Sequence, residues 1–208
     1  MNALPFSASR TLAAFVLVTA LPLASPVARA ADAIALLPPV DAAHALSGEK
    51  LLEALRRGGF VLFVRHTEQT DGRQNDCNAT VLTPAGIAMA RRLGETLRRA
   101  AVPVTPPVSS PICRALHTAQ LMDQGDPAID RALMPNLERE QVEGRDRLFS
   151  TPPPAGRNAV MIGHVVGGEA GRQLSTEKGG IIVFRPDGAG GRTVVAHVLP
   201  AEWTGWSR

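Results

Sequence analysis

The sequence predicts an α/β domain: a three-layer α/β/α sandwich around a mostly parallel, mixed central sheet. Three observations predict it. Two uninterrupted apolar runs, residues 60–64 and 159–162, have the character of strands buried on both faces. Amphipathic helical segments alternate with the strand-like ones, as in α/β folds. Near its end the chain carries two apolar runs around a turn-rich segment, which reads as a hairpin.

Each element has a local cause. Ser47 to Arg57 reads as a short helix with Leu51, Leu52 and Leu55 on its apolar side, ended by Gly58-Gly59. Phe60 to Val64 is the first strand. Thr83 suits a helix N-cap and Pro84 the first helical position. From there Ile87, Ala90, Leu93, Gly94 and Leu97 share one face, while Arg91, Arg92, Glu95, Arg98 and Arg99 share the other. Those charges read as a solvated surface. Pro103, Pro106 and Pro107 precede a short strand at Val108-Ser109, and a second long helix is expected from about Pro111 to Met122. Gly125 to Gly156, with its prolines and scattered charges, shows no readable element. Ala159 to Ile162 is the next strand. Ile181 to Phe184 and Val194 to Leu199 flank the turn residues 186–191.

The start of the chain reads as an export signal. Arg10 precedes the apolar run from Thr11 to Ala24, and Ala28-Arg29-Ala30 has the small-x-small pattern of a cleavage site. A membrane span needs about 20 apolar residues, and this run is shorter and contains Pro22, so no stable membrane anchor is expected after cleavage. Residues 31–45, rich in Ala and Pro, read as a flexible linker, and residues 46–208 as one domain. The formal charge of +3 falls to +1 once Arg10 and Arg29 are removed. A chain so near neutrality has no general basic face for nucleic acid. The expected location is the periplasm or the exterior. There the two cysteines, Cys77 and Cys113, could pair, or could remain two separate buried thiols.

Three of the strands lead into residues that can carry chemistry. Residues 60–64 run into Arg65-His66. The strand at 108–109 leads through Ser110-Pro111 to Cys113-Arg114. Residues 159–162 lead through Gly163 to His164. Ligands of open α/β sheets sit beyond the carboxyl ends of strands. If these three strands are parallel neighbours, two arginines and two histidines meet at one cationic, partly dry spot that favours a phosphate.

These pieces resemble the histidine phosphatase superfamily, the group that includes the cofactor-dependent phosphoglycerate mutases. The resemblance rests on Arg65-His66-Thr67 after a strand, residues 82–86 (Leu-Thr-Pro-Ala-Gly) before a helix, residues 110–119 (Ser-Pro-Ile-Cys-Arg-Ala-Leu-His-Thr-Ala) and Gly163-His164, in that order. The closing residues 199–203 (Leu-Pro-Ala-Glu-Trp) are similar to exported members. The resemblance implies a metal-independent phosphomonoesterase without a cofactor, acting on a phosphorylated small molecule or protein. It implies His66 as the nucleophile that carries the phosphoryl group, Arg65 and Arg114 as clamps on its oxygens, and His164 as a further donor. Glu138 is the positional candidate for the acid that protonates the leaving oxygen, with Glu140 two residues away. The other function weighed is a catalytically weak phosphate- or phosphoprotein-binding module of the same fold. Three departures stand out. Thr67 replaces the Gly of many members, the Asn that usually follows has no close counterpart before Asn75 and Asn78, and Val165-Val166 replaces a polar pair. His117, one turn after Arg114, either faces the pocket or lies on the helix surface, the commoner place for such a residue, and is given no role.

Overall fold

The computed structural model describes residues 39–70, 77–78, 81–135, 139–164, 166–167, 173–174 and 176–206. The expected signal peptide, the linker as far as residue 38, and Glu138 lie outside these described residues.

A six-stranded sheet organises the domain, in the order β3-β2-β4-β1-β7-β8. Its strands are β1 (Val61–Arg65), β2 (Val108–Ser109), β3 (Ala128–Ile129), β4 (Ala159–Gly163), β7 (Ile181–Pro186) and β8 (Arg192–Val198). A separate pair, β5 (Val166–Gly167) and β6 (Gln173–Leu174), forms a small antiparallel ribbon. The neighbours β3, β2, β4 and β1 are parallel. β7 runs antiparallel to β1, and β8 antiparallel to β7, which makes the expected terminal hairpin.

Alternation along the strands feeds two cores. Leu62, Val64, Val160, Ile162, Ile181 and Val183 face one side. There they pack with apolar residues of α1 (Gly48–Arg57), α2 (Pro84–Arg99) and α3 (Cys113–Met122), and with Trp203 of α5 (Pro200–Trp203). Val61, Phe63, Met161, Ile182 and Phe184 face the other side, covered by Leu133 and Phe149. The central strands are thus buried on both faces because each has a helical layer to bury against.

The helix expected at Thr83-Pro84 starts there: the Thr83 hydroxyl oxygen accepts from the Gly86 N–H at 3.0 Å. In α2, Gly94 lies directly against α3, where a Cβ would run into the Met122 carbonyl. The absence of a side chain lets the helix that carries Arg114 sit close to its neighbour. That helix begins at Cys113 rather than Pro111. Residues 125–156, which showed no readable element, hold β3, a 3-10 turn (Arg131–Leu133) and α4 (Arg139–Ser150). Charges interrupt every turn of α4 between its few apolar contacts at Leu148 and Phe149, so its apolar stripe is too sparse to give a period. Residues 41–46, next to the start of α1, bond to the outer strand: Asp41 N–H to the Val194 carbonyl at 3.0 Å and Leu46 N–H to the Val195 carbonyl at 2.8 Å.

Candidate active site

β2, β4 and β1 are consecutive parallel neighbours, so their carboxyl ends open at one edge of the sheet. The ladder continues past the strands. His66 N–H donates to the Gly163 carbonyl at 3.0 Å, and Ser110 N–H to the Ile162 carbonyl at 3.0 Å. These bonds set His66 beside His164 and put Ser110, at the entry to α3, against His164. The two imidazole centroids are 5.1 Å apart, and both rings are buried.

Arg114 joins them. Its Nε–H lies 3.1 Å from His66 Nε2 and 3.1 Å from His164 Nδ1. Both nitrogens are therefore acceptors, and the opposite nitrogens carry the protons. His66 Nδ1–H donates to the Thr67 carbonyl at 2.9 Å, and His164 Nε2–H donates to Ser110 Oγ at 3.1 Å. The tautomers follow from these partners. The Arg65 guanidinium donates to the Thr176 carbonyl at 2.7 Å. The structure thus brings His66, Arg114 and His164 into contact, with Arg65 adjoining through the chain. It leaves Glu138 outside the described residues, and it puts Glu140 on an exposed position of α4.

Burial and charge act in the same direction here. His66 is pushed down to about 4, first by burial and then by the charges of Arg114, Arg65 and Lys178, against an opposing bond to the Thr67 carbonyl. His164 is pushed down to about 2 by burial and by Arg114, His66 and Arg65. Burial also lowers Arg65 and Arg114, yet a guanidinium stays charged across the whole accessible range. At neutral pH the site holds two neutral imidazoles between cations. For His66 this is the form with an electron pair on Nε2. For His164 it is the form whose Nδ1 accepts from Arg114 while Nε2–H donates to Ser110 Oγ.

Several supporting residues were not assigned roles from the sequence. The Thr118 hydroxyl donates to the Arg114 carbonyl at 2.7 Å and accepts from the Thr67 N–H at 3.1 Å, with the Thr67 hydroxyl 3.2 Å away. This ties the loop after β1 to α3, with the Thr67 hydroxyl buried against another hydroxyl. The fixed spacing from Arg114 to Thr118, one helical turn, was the available signal. His117 is buried rather than on the helix surface. Its Nε2 lies 3.0 Å from the Cys77 carbonyl and its Nδ1 3.4 Å from the Val81 N–H, so it touches two points of the segment before α2. The same segment is bonded to α3 by the Cys77–Cys113 disulfide, with Cα atoms 5.0 Å apart. Of the two cysteine states left open, the structure has the paired one. A cavity of 410 Å³ between α1 and β8, lined by Ser47, Leu51, His197 and Trp206 among others, contains none of the four site side chains.

Residues 61–146 match the family model of the histidine phosphatase superfamily (branch 1). The fold is similar to that of the protein histidine phosphatase SixA complexed with tungstate: TM-score 0.52, 18% identity, 68% of this chain and 97% of that one covered. A phosphoserine phosphatase mutant from Entamoeba histolytica, in complex with phosphoserine, aligns with TM-score 0.47 and 13% identity, over 69% of this chain and 98% of that one. No curated protein matches the sequence. The strand-end site and the sheet order described above agree with the family match: over residues 61–146 the chain resembles the histidine phosphatase superfamily (branch 1).

Proposed function

We propose that the chain is a phosphomonoester hydrolase working through a phosphohistidine on His66. One observation carries the reading: a single guanidinium nitrogen contacts the unprotonated nitrogens of both buried histidines, at 3.1 Å each. A phosphoryl group entering there meets a nucleophilic electron pair and a cation at one point.

In the first step His66 Nε2 forms a bond to phosphorus as the ester P–O bond breaks. The Thr67 carbonyl holds Nδ1–H, so the ring attacks from Nε2 and the positive charge that develops on it is stabilised. Arg65 and Arg114 balance the two negative charges of the phosphoryl group. The incoming dianion also favours the charged form of His164, which then donates from Nδ1 and completes the set of donors around the oxygens. Glu138 supplies the proton that the leaving oxygen needs. Water then attacks phosphorus, the N–P bond breaks, and inorganic phosphate leaves. No step needs a metal or a cofactor. Work outside the cytoplasm, after cleavage behind Ala30, belongs to the same reading and is compatible with the Cys77–Cys113 disulfide.

The test is purified mature protein with 4-nitrophenyl phosphate, whose good leaving group lessens the need for an acid. Wild type should release nitrophenol and, after quenching in alkali, carry phosphate on the peptide containing His66. His66→Ala should do neither. Phosphate binding without turnover would mark the chain as a binding module, and turnover by His66→Ala equal to wild type would end the phosphohistidine reading. Mass spectrometry of protein made with its native leader should find Ala31 at the N-terminus; an intact Met1 in the membrane fraction would refute export.

A further inference from the structure

Arg65 is gripped by one short segment, residues 176–180. Its N–H donates to the Gly180 carbonyl at 3.1 Å, its carbonyl accepts from the Gly179 N–H at 2.9 Å, and its guanidinium donates to the Thr176 carbonyl. Between these anchors the chain turns tightly, closed by Gly180 N–H to the Glu177 carbonyl at 2.8 Å. The turn needs its glycine: Gly179 has φ +78 and lies against Met89, leaving no room for a side chain. Trp203 fastens it from behind, its indole N–H donating to the Gly179 carbonyl at 2.9 Å.

Residue 178 is therefore held beside the Arg65–His66 peptide, and it is a lysine. Lys178 is half-buried, and no ion pair or hydrogen bond engages its ammonium among the described residues. Its neighbour Glu177 is exposed. Lys178 contributes to holding the His66 imidazole neutral, an independent sign that its charge is close to the nucleophile.

Position and charge balance assign it a task. Arg114 and His164 flank His66 from the β2–β4 side, so the phosphoryl group is clamped there. The turn that carries Lys178 leads into β7, on the other side of Arg65. A phosphomonoester carries up to two negative charges on phosphorus, and Arg65 and Arg114, joined by His164 once the dianion has charged it, already meet them within the clamp. A third cation, outside that clamp and carried on a hydrogen-bonded turn, is suited to an anion on another part of the substrate.

We infer that Lys178 is a specificity-determining residue, and that the site takes small phosphomonoesters whose leaving group bears a second anionic group, a carboxylate or phosphate, near the ester oxygen. This rests on the hydrolase reading above. The test pairs two esters of similar size, phosphoglycolate and propyl phosphate, with inorganic phosphate as a binding probe. Lys178→Met should raise KM for phosphoglycolate about tenfold, as expected for a lost charge-assisted contact, with kcat kept. It should leave KM for propyl phosphate and the Kd of inorganic phosphate within about twofold. Lys178→Arg should recover most of the loss. Equal losses for phosphoglycolate and inorganic phosphate would overturn the inference and make Lys178 a further clamp on the phosphoryl group. No change for either ester would overturn it outright. Calorimetric Kd values for phosphoglycolate in both proteins keep the two failures apart. If wild type turns over neither ester, the hydrolase reading fails, while the loss of affinity in Lys178→Met still reports on the second anion.

Discussion

The two ends of the central sheet both carry buried or half-buried arginine, and they use it in opposite ways. At the end where β1, β2 and β4 finish, Arg114 meets two imidazoles, and Arg65 meets a backbone carbonyl. At the other end, where β8 begins, Arg192 meets a carboxylate: Asp146 at 2.8 Å. Its guanidinium also lies 5.6 Å from the Phe149 ring and 5.7 Å from the Phe184 ring. Arg145, buried nearby and lowered by that burial, feels the same Asp146 as a compensating charge. A cation next to its own carboxylate is neutralised and serves packing. A cation whose neighbours are neutral rings still has its field to offer an anion. Arginine content alone does not separate the two ends; the partners do.

The largest effect should come from removing Arg114. Arg114→Ala should lower kcat/KM for 4-nitrophenyl phosphate by roughly 10²–10³-fold, the scale of losing one transition-state donor, while thermal unfolding moves little. A comparable loss in Arg192→Met would erase the contrast between the ends.

Next in size is the disulfide. Cys113 directly precedes Arg114, and Cys77 belongs to the segment that His117 touches. Changing both cysteines to serine should cost about 2–4 kcal/mol in urea unfolding and should raise KM as well, because the start of α3 is released. A stability loss with KM unchanged would show that the bridge serves only the fold.

The pH response has a definite sign. Burial, first of all, holds His66 and His164 well below the ordinary histidine value of 6.5. Between the folded and unfolded values the unfolded chain binds protons that the folded one does not. This contribution to stability is complete above pH 6.5 and is lost as pH falls toward 4. An NMR titration should put the His66 midpoint near 4, and a midpoint at the ordinary value would remove the dry, cationic character of this end. The smallest effect is expected at the other end. Arg192→Met should change stability by about 1 kcal/mol or less, as for a partly exposed ion pair with ring contacts, and should leave turnover unchanged.

Much of the fold is legible before any coordinates. The runs at 60–64 and 159–162 have one reading because a strand covered on both faces tolerates no polar residue. Thr83-Pro84 announces α2 because cap and first-turn chemistry are local. α4 was not legible, since its burial depends on a few contacts from Leu148 and Phe149 and its remaining positions are charged. The place of His117 was not legible for a related reason. It is one turn from Arg114 on a helix, and only the position of the Cys77 loop decides that this face is covered.

By itself, then, the sequence determined that residues 65, 66, 114 and 164 follow strands or enter helices at the carboxyl ends, because strand termini and caps are written in short stretches of chain. Tertiary structure decided that β2, β4 and β1 are neighbours in that order, and therefore that the two imidazoles lie within 5.1 Å and share one guanidinium nitrogen. It also decided which nitrogen of His66 is the acceptor and that the turn carrying Lys178 packs against Arg65. Strand order and side-chain protonation depend on contacts between residues far apart in the chain, and only the packed fold brings those together.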